Sequence, residues 1–245
     1  GEFPRAIFAP GSIDGCFELM RGTFALAEAS RGPVFLLTDQ FLADSYRDVE
    51  PFKLDGLNGM SPPSSEVVSG PYWPYAITDS GVSPRLVPGA GTDCVLADSD
   101  EHDESGHITE DLQLRIKMVD KRLRKWKILT DRVMPPDYEG DESPELLLID
   151  WGSTRGAVSE TVGRLRATGK KVGALHFQQV WPLVPDQFIE RLQKAGRVVC
   201  VEGNATGQFS HLIRRETGFN VHQLILRYDG LPFTSDFILG ELQHE

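Results

Sequence analysis

The sequence predicts an α/β protein whose C-terminal part is a parallel sheet with helices on its faces. Four short apolar runs, at 146–151, 172–177, 198–202 and 223–228, alternate with segments of helical length. Strands that alternate with helices in this way pair in parallel, because each crossover needs a helix to return the chain to the same end of the sheet. A second observation is the run–helix–run order at 6–38, a further β-α-β pattern. The third is what separates them: a Pro- and Gly-rich stretch at 49–91 and a polar stretch at 137–144.

The elements follow in order. Residues 6–9 are a short apolar run closed by Pro10-Gly11, and Ser12 is placed to cap a helix, with Asp14 and Glu18 in its first turns. Phe17, Met20, Phe24, Leu26 and Ala27 give that helix an apolar stripe, Gly32-Pro33 ends it, and VFLLT at 34–38 reads as a buried strand. Two strands make no stable sheet, so more strands are expected from elsewhere. Residues 39–48 read as a loop or short helix past the strand's carboxyl end, where parallel sheets bind ligands. The stretch 49–91 carries Tyr72, Trp73 and Tyr75 and reads as an extended connector laid over a surface. Thr109 is a candidate cap for a helix with apolar residues at Leu112, Ile116, Val119, Leu123 and Trp126, spaced as a single seam. Pro135-Pro136 ends that section. Beyond it come strand 146–151, helix 154–168 capped by Ser153, strand 172–177, a passage through Trp181-Pro182 into helix 186–195, strand 198–202, helix 206–217, strand 223–228 and a last helix near 235–243. The predicted domains are 1–48, a connector with a long helix at 49–144, and 145–245.

Charge and composition exclude several classes. The formal net charge of −11 argues against a nucleic-acid partner, which requires a basic face. The one basic run, KRLRKWK at 121–127, reads as cations complementing a helix C-terminus. No apolar run approaches the roughly 20 residues of a membrane span. Cys16, Cys94 and Cys200 are far apart and match no Fe–S or zinc spacing, so a reduced, cytoplasmic chain is expected. GEFPRAIFAPGS has neither the basic head nor the apolar core of a signal peptide and no initiator Met, and it reads as the interior of a longer polypeptide.

Several motifs are candidates for chemistry. Residues 98–111, DSDEHDESGHITED, hold seven carboxylates and two histidines, a density of like charge that needs water, cations or a partner to offset it. His102 and His107 with Asp98, Asp100, Asp103 and Glu104 are the candidate metal ligands, although the EF-hand spacing is not met. Three readings stay open: a bound metal, a part of the subunit or active-site architecture, and a solvated lead-in to the helix. Trp151-Gly152-Ser153-Thr154 joins a strand to a helix, so its amides could hold an anion or simply cap. Asn204, Thr206 and Gln208 follow another strand, where Asn204 suits a left-handed turn and Gln208 could face a ligand. Asp39 and Gln40 follow a third. His176, inside a strand buried on both faces, reads as a neutral hydrogen-bonded core histidine.

Taken together, these segments resemble the alpha subunit of 2-oxoacid:ferredoxin oxidoreductases, with 2-oxoglutarate as the nearest substrate type. The resemblance rests on GEFPRAIFAPGS at 1–12, LTDQFLADS at 37–45, SDEHDESGHITED at 99–111, RIKMVDKRLRK at 115–125, WGSTRGA at 151–157, HFQQVWPL at 176–183, EGNATGQ at 202–208 and YDGLPFT at 228–234. It covers nearly the whole chain, with 57–69 and 89–95 least distinctive. It implies the end of a thiamine-diphosphate (pyrimidine-type) α/β domain, the connector and helix, and then a transketolase C-terminal-like domain.

The resemblance further implies an oxidoreductase that decarboxylates a 2-oxoacid to its acyl-CoA and passes electrons to ferredoxin. Thiamine diphosphate with Mg, Fe–S clusters and coenzyme A would serve it. A beta subunit would be the main partner, in a heterodimer or a dimer of heterodimers. In the family, the activating glutamate and the substrate-holding threonine and arginine precede the GEFPR segment, and the Mg- and diphosphate-binding motif and cluster cysteines lie in the other subunit. This chain alone is therefore expected to be inactive. Arg5 remains the one candidate catalytic residue, and Asp39, Gln40, Ser153, Asn204, Thr206 and Gln208 are the candidate cofactor contacts. Two alternatives share the fold: a non-catalytic assembly module, and part of another transketolase-like thiamine enzyme.

Overall fold

In the computed structural model, residues 2–54 and 71–243 are described. Parts of the predicted connector (55–70) and Gly1 of the GEFPR segment lie outside them. The elements are β1 (Ala6–Phe8), α1 (Ile13–Ser30), β2 (Val34–Leu36), α2 (Gln40–Asp44), α3 (Leu112–Arg124), α4 (Trp126–Thr130), β3 (Asp137–Gly140), β4 (Leu146–Trp151), α5 (Arg155–Ala167), β5 (Val172–Phe177), β6 (Gln179–Trp181), α6 (Ile189–Lys194), β7 (Arg197–Glu202), α7 (Gln208–Thr217), β8 (Gln223–Leu226) and α8 (Ser235–Gln243). They divide into two units. One comprises Gly1–Arg5, Phe24–Val34 and Lys53–Asp131; the other comprises Ala6–Thr23, Phe35–Phe52 and Arg132–Glu245.

The larger unit is built on a five-stranded sheet in the order β3-β5-β4-β7-β8. β4 pairs in parallel with both β5 and β7, and β7 with β8. Successive strand residues feed opposite layers, as the period-2 geometry of a strand requires. Leu147, Ile149, Leu175, Phe177, Val198 and Cys200 pack with Phe188, Leu192, Phe209 and Ile213 on one side. Leu148, Val172, Ala174, Val199, Val201 and Ile225 pack with Val158, Val162 and Ile238 on the other. Coverage on both faces explains why these strands read as continuous apolar runs. Phe177 anchors the first layer, with edge-on rings at Phe188 (5.1 Å) and Phe209 (4.9 Å).

Two strands depart from the sequence expectation. The polar stretch at 137–144 contains β3, an antiparallel edge strand on β5. Its polar alternation suits an edge, where one face meets solvent. Residues after β5 form β6, which pairs with β1 in a separate sheet ordered β2-β1-β6. The helix expected at 186–195 is split into a 3-10 turn at Pro185–Gln187 and α6. β2 is shorter than VFLLT and only half covered, with Phe35 and Leu37 exposed.

Helices α1 and α3 turn unexpected faces inward. α1 begins as predicted, with Ser12 Oγ accepting from Gly15 N at 3.0 Å. Its buried face, however, is Gly15, Leu19, Thr23, Leu26 and Ser30, while Met20 and Phe24 are exposed. The hydroxyls of Thr23 and Ser30 are satisfied by the carbonyls of Leu19 and Leu26, each at 2.8 Å, so their burial leaves no orphan. In α3 the buried residues are Met118 and Lys121, and the predicted seam is open: Leu112 is 73% and Ile116 55% exposed. The cap of α3 is Asp111, which accepts from Gln113 N (2.8 Å) and Leu114 N (3.2 Å), two residues beyond the expected Thr109.

The basic end of α3 has a different task from the one the sequence suggested. Lys121 Nζ donates to Tyr75 O (2.8 Å) and Ser83 Oγ (2.6 Å), Arg124 to Thr78 O (2.7 Å) and Lys125 to Arg31 O (2.7 Å). The described part of the connector has no strand to occupy its carbonyls, so Lys121 and Arg124 supply donors to it, while Lys125 ties down the end of α1. Burial lowers the Lys121 ammonium to about 8 and shifts Lys125 in the same direction. Lys121 therefore loses its proton more readily in the folded chain than in the unfolded one. Its contribution to stability rises between about pH 8 and 10.5, by at most about 3 kcal/mol. The expected outcome is a urea midpoint that climbs from pH 7.5 to 9.5 relative to Lys121→Met; parallel profiles for the two proteins would refute it.

Candidate functional site

A cleft of about 1290 Å³ opens in the larger unit. Its position follows from topology. After β4 the chain turns to α5 on one face of the sheet, and after β7 it turns to α7 on the other. Loops that diverge at adjacent strand ends leave a crevice at a topological switch point. The lining comes from the turn after β4 (151–157), Gly203 after β7, residues 227–234 after β8, residues 37–45 around α2, and Ala9-Pro10.

Of the sequence candidates, Asp39, Gln40 and Ser153 line this cleft. Asp39 caps α2 by accepting from Leu42 N at 2.9 Å, and its other oxygen accepts from Ser153 Oγ at the start of α5. Ser153 is thus a partner of Asp39 rather than the cap of α5, which has no side-chain cap and opens through a 3-10 turn at Gly152–Thr154. A protein carboxylate reaches the one place where the turn's amides and helix dipole would have favoured an external anion. Gln40 donates to Asp44.

Asn204, Thr206 and Gln208 form one local structure. Asn204 Oδ1 accepts from the amides of Thr206 (3.1 Å), Gly207 (2.8 Å) and Gln208 (3.2 Å). Gly207, with φ of 66°, sits at the N-cap where Thr206 was expected. Gln208 is exposed on the first turn of α7. Arg5 turns back on its own segment, donating to Phe3 O at 3.0 Å.

Several carboxylates of 98–111 find partners in α3, in the connector and in their own backbone amides. Glu101 meets Arg122 (2.8 Å) and Arg115 (3.3 Å), and the Arg122 hydrogen bond holds its carboxyl below the usual range. Glu104 accepts from Ile77 N at 2.8 Å. Asp103 accepts from the amides of Ser105 (2.9 Å) and His107 (3.1 Å), and its carboxyl is likewise lowered, first by the Ser105 hydroxyl. Asp98 accepts from Asp100 N at 2.9 Å. The His102 ring lies 3.7 Å from that of Tyr75, tilted by 42°, with Nδ1 at Asp100 O, and His107 Nδ1 faces Ser105 Oγ. Among the described residues, no three His, Cys, Asp or Glu side chains converge to hold a metal ion.

Two buried groups escaped the sequence reading. Glu202, the last residue of β7, is fully buried and accepts from Phe209 N (2.8 Å), Ser210 N (2.9 Å), Asn204 Nδ2 (2.8 Å), Cys200 Sγ (3.4 Å) and Trp151 Nε1 (3.5 Å). It ties the start of α7 to a tryptophan of the cleft wall. Burial, with Glu202 beside it, keeps the Cys200 thiol protonated. A glutamate closing an apolar strand, followed by Gly-Asn and a helix, is the signal that could have marked it. Asp150 is the other. It pairs with buried His176, whose Nδ1 faces the carboxylate while Nε2 lies against Gly11 with no hydrogen-bond partner.

A family model described as pyruvate flavodoxin/ferredoxin oxidoreductase, thiamine diP-binding, matches residues 2–121. A 2-oxoacid:ferredoxin oxidoreductase 1 alpha subunit of Aeropyrum pernix is 35% identical over 244 residues, covering 95% of this chain and 37% of that protein. The chain is homologous to 2-oxoacid:ferredoxin oxidoreductase alpha subunits. A 2-oxoglutarate oxidoreductase subunit KorA of Mycobacterium tuberculosis is 31% identical, covering 97% of the chain and 36% of its own length. The 2-oxoglutarate:ferredoxin oxidoreductase of Magnetococcus marinus, solved with 2-oxoglutarate, coenzyme A and succinyl-CoA bound, superposes with a TM-score of 0.87 at 28% identity. That match covers 98% of this chain and 42% of the solved one. The chain thus spans little more than a third of the length of these curated relatives.

Proposed function

We propose that the chain is part of the alpha subunit of a 2-oxoacid:ferredoxin oxidoreductase, with 2-oxoglutarate as substrate. The reaction would convert the 2-oxoacid and coenzyme A to acyl-CoA and CO₂, with two electrons passing to ferredoxin. The observation that carries this reading is the superposition over 98% of the chain on the Magnetococcus marinus enzyme.

Thiamine diphosphate supplies carbanion stabilisation in such an enzyme when bound. The cleft of this chain does not fit its diphosphate. Asp39 engages Ser153 at the start of α5, Asp44 and Glu160 add negative charge, and the lining Arg227 is committed to Asp229 (3.1 Å) and Pro232 O (2.6 Å). In this proposal the diphosphate with its Mg, and the Fe–S clusters, belong to a beta subunit. The chain's role is to complete the assembly, in a cytoplasmic heterodimer or dimer of heterodimers, with domains at 1–48, 49–144 and 145–245. Among the described residues, no helix is long and apolar enough to cross a membrane.

The test is assay of the full-length protein purified with its co-expressed partner subunit. Reduction of a viologen dye that requires both 2-oxoglutarate and coenzyme A is expected. Reduction with pyruvate but not 2-oxoglutarate would overturn the substrate, and no reduction with either would overturn the oxidoreductase reading.

A further inference from the structure

Asp150 and His176 stand opposite each other in the register of β4 and β5, and they are 1% and 4% exposed. They share the face of Leu148 and Ala174, inside the layer that α5 and α8 cover. His176 Nδ1 meets the Asp150 carboxylate. An ionised carboxylate only accepts, so Nδ1 carries the proton and Nε2 is a lone pair. Among the described residues Nε2 has no hydrogen-bond partner. What lies over it is Gly11. A Cβ on that residue would come within 2.5 Å of Nε2, 2.7 Å of Cε1 and 2.9 Å of Arg155 Cβ. The ring is closed in by this chain's own atoms, and no other group reaches Nε2 unless the segment at 9–12 moves. That segment is held to the end of β5 by Ala9 N, which donates to Gln178 O at 2.8 Å, and its Ala9 and Pro10 line the cleft.

In glycine a hydrogen stands in the Cβ direction, so a C–H of Gly11 points at the lone pair. A lone pair can face a C–H. A second proton on the ring would set an N–H against that C–H, and a buried donor without an acceptor is costly. In water the same N–H is satisfied. Proton uptake and movement of the segment therefore favour each other. The charges around the ring leave this linkage in place. Asp150 offers a counter-charge at Nδ1 and no acceptor at Nε2. Asp137, opposite His176 on β3, and Arg155 of α5 hold each other at 2.9 Å. Cys200 of β7 feels the Asp150 charge and stays protonated. Residues 9–12 bring no ionisable side chain. We propose that Asp150 and His176 form a proton-operated latch: with one proton on the ring the segment at 9–12 lies closed over Nε2, and a second proton releases it and opens that wall of the cleft. The latch does not rest on the activity proposed above.

The test uses the full-length protein purified with its co-expressed partner. Slow deuteration of His176 Cε1, read by mass spectrometry, follows the ionisation of the ring from about pH 5 to 8. Amide hydrogen exchange, corrected for the intrinsic effect of pH, follows Ala9 through overlapping peptides, with β7 as the control. An imidazole open to water titrates near pH 6.5, so the linkage predicts about tenfold less protection at Ala9 at pH 5.5 than at pH 7.5, with β7 unchanged. His176→Asn keeps an N–H for Asp150 and removes the ionisation, so its Ala9 protection should be the same at both pH values. The latch is overturned if His176 titrates while Ala9 keeps its protection, or if the ring stays in one ionisation state across the range. Equal losses at Ala9 and β7, or a pH response that survives in the Asn variant, overturn it as well. Should the variant fail to fold, the parent decides alone: a loss at Ala9 that tracks the His176 profile supports the latch, and any other pattern refutes it.

Discussion

Glu202→Gln lowers the unfolding free energy by about 2–4 kcal/mol. The substitution keeps the shape of the side chain and changes one oxygen to an NH₂ group. Every group around Glu202 is a donor. One oxygen accepts from Phe209 N, Asn204 Nδ2 and Trp151 Nε1, the other from Ser210 N and Cys200 Sγ. Whichever way the new amide turns, it sets N–H against N–H inside the sheet layer and strips the remaining bonds of their charge assistance. Water cannot relieve the conflict, because Glu202 is fully buried. The amides of Phe209 and Ser210 should exchange with deuterium faster than in the parent, and α7 should fray from its first turn. Denaturant unfolding measures the loss; a change below about 0.5 kcal/mol would mean that the network is not what holds α7 to β7.

Gly140→Ala is expected to cost about 3 kcal/mol or more and to detach β3 from the sheet. Gly140 has φ of 110°, a conformation that side-chain-bearing residues rarely adopt, and a Cβ there would lie 2.3 Å from Val172 O and 2.6 Å from the Cα of Gly173. Both are backbone atoms of the facing strand, so no rotamer change can make room. The register opposes Gly140 to Gly173, and the bare glycine at 173 lets the Tyr138 ring cross the ladder. Loss of β3 would also release Asp137, which holds Arg155 at 2.9 Å and Gln178 at 2.7 Å. Gly163→Ala is the control. That position is exposed in α5 with open space around it, and alanine there should stabilise by up to about 1 kcal/mol. The prediction fails if the Gly140 variant keeps its β5 amide protection.

The sheet was legible because its strands are buried on both faces. Burial of that kind favours apolar residues at successive positions, as in 146–149 and 172–175, and such runs stand out against polar helix surfaces. Strand ends are where ligand crevices form, a rule that points to Asp39, Gln40 and Ser153, which line the cleft, and equally to Asn204, Thr206 and Gln208, which do not. Glu202 was not, because a lone acid at a strand end looks the same whether it faces water or five donors.

The sequence by itself determined the strands and helices of the parallel sheet, the family likeness, and the acidic balance of the chain, but not the edge strand β3 or the strand β6. Those properties are local: periodicity, capping residues and composition act within a few residues of chain. Only the tertiary structure decided which face of a helix is inside. In α1 and α3 the apolar stripes at Met20, Phe24, Leu112 and Ile116 face outward, while Thr23, Ser30 and Lys121 are buried. Thr23 and Ser30 are satisfied within their own helix by the carbonyls of Leu19 and Leu26, whereas Lys121 is buried only because acceptors arrive from elsewhere in space. For Lys121 those acceptors, Tyr75 O and Ser83 Oγ, lie 46 and 38 residues away in sequence, beyond the reach of any local pattern.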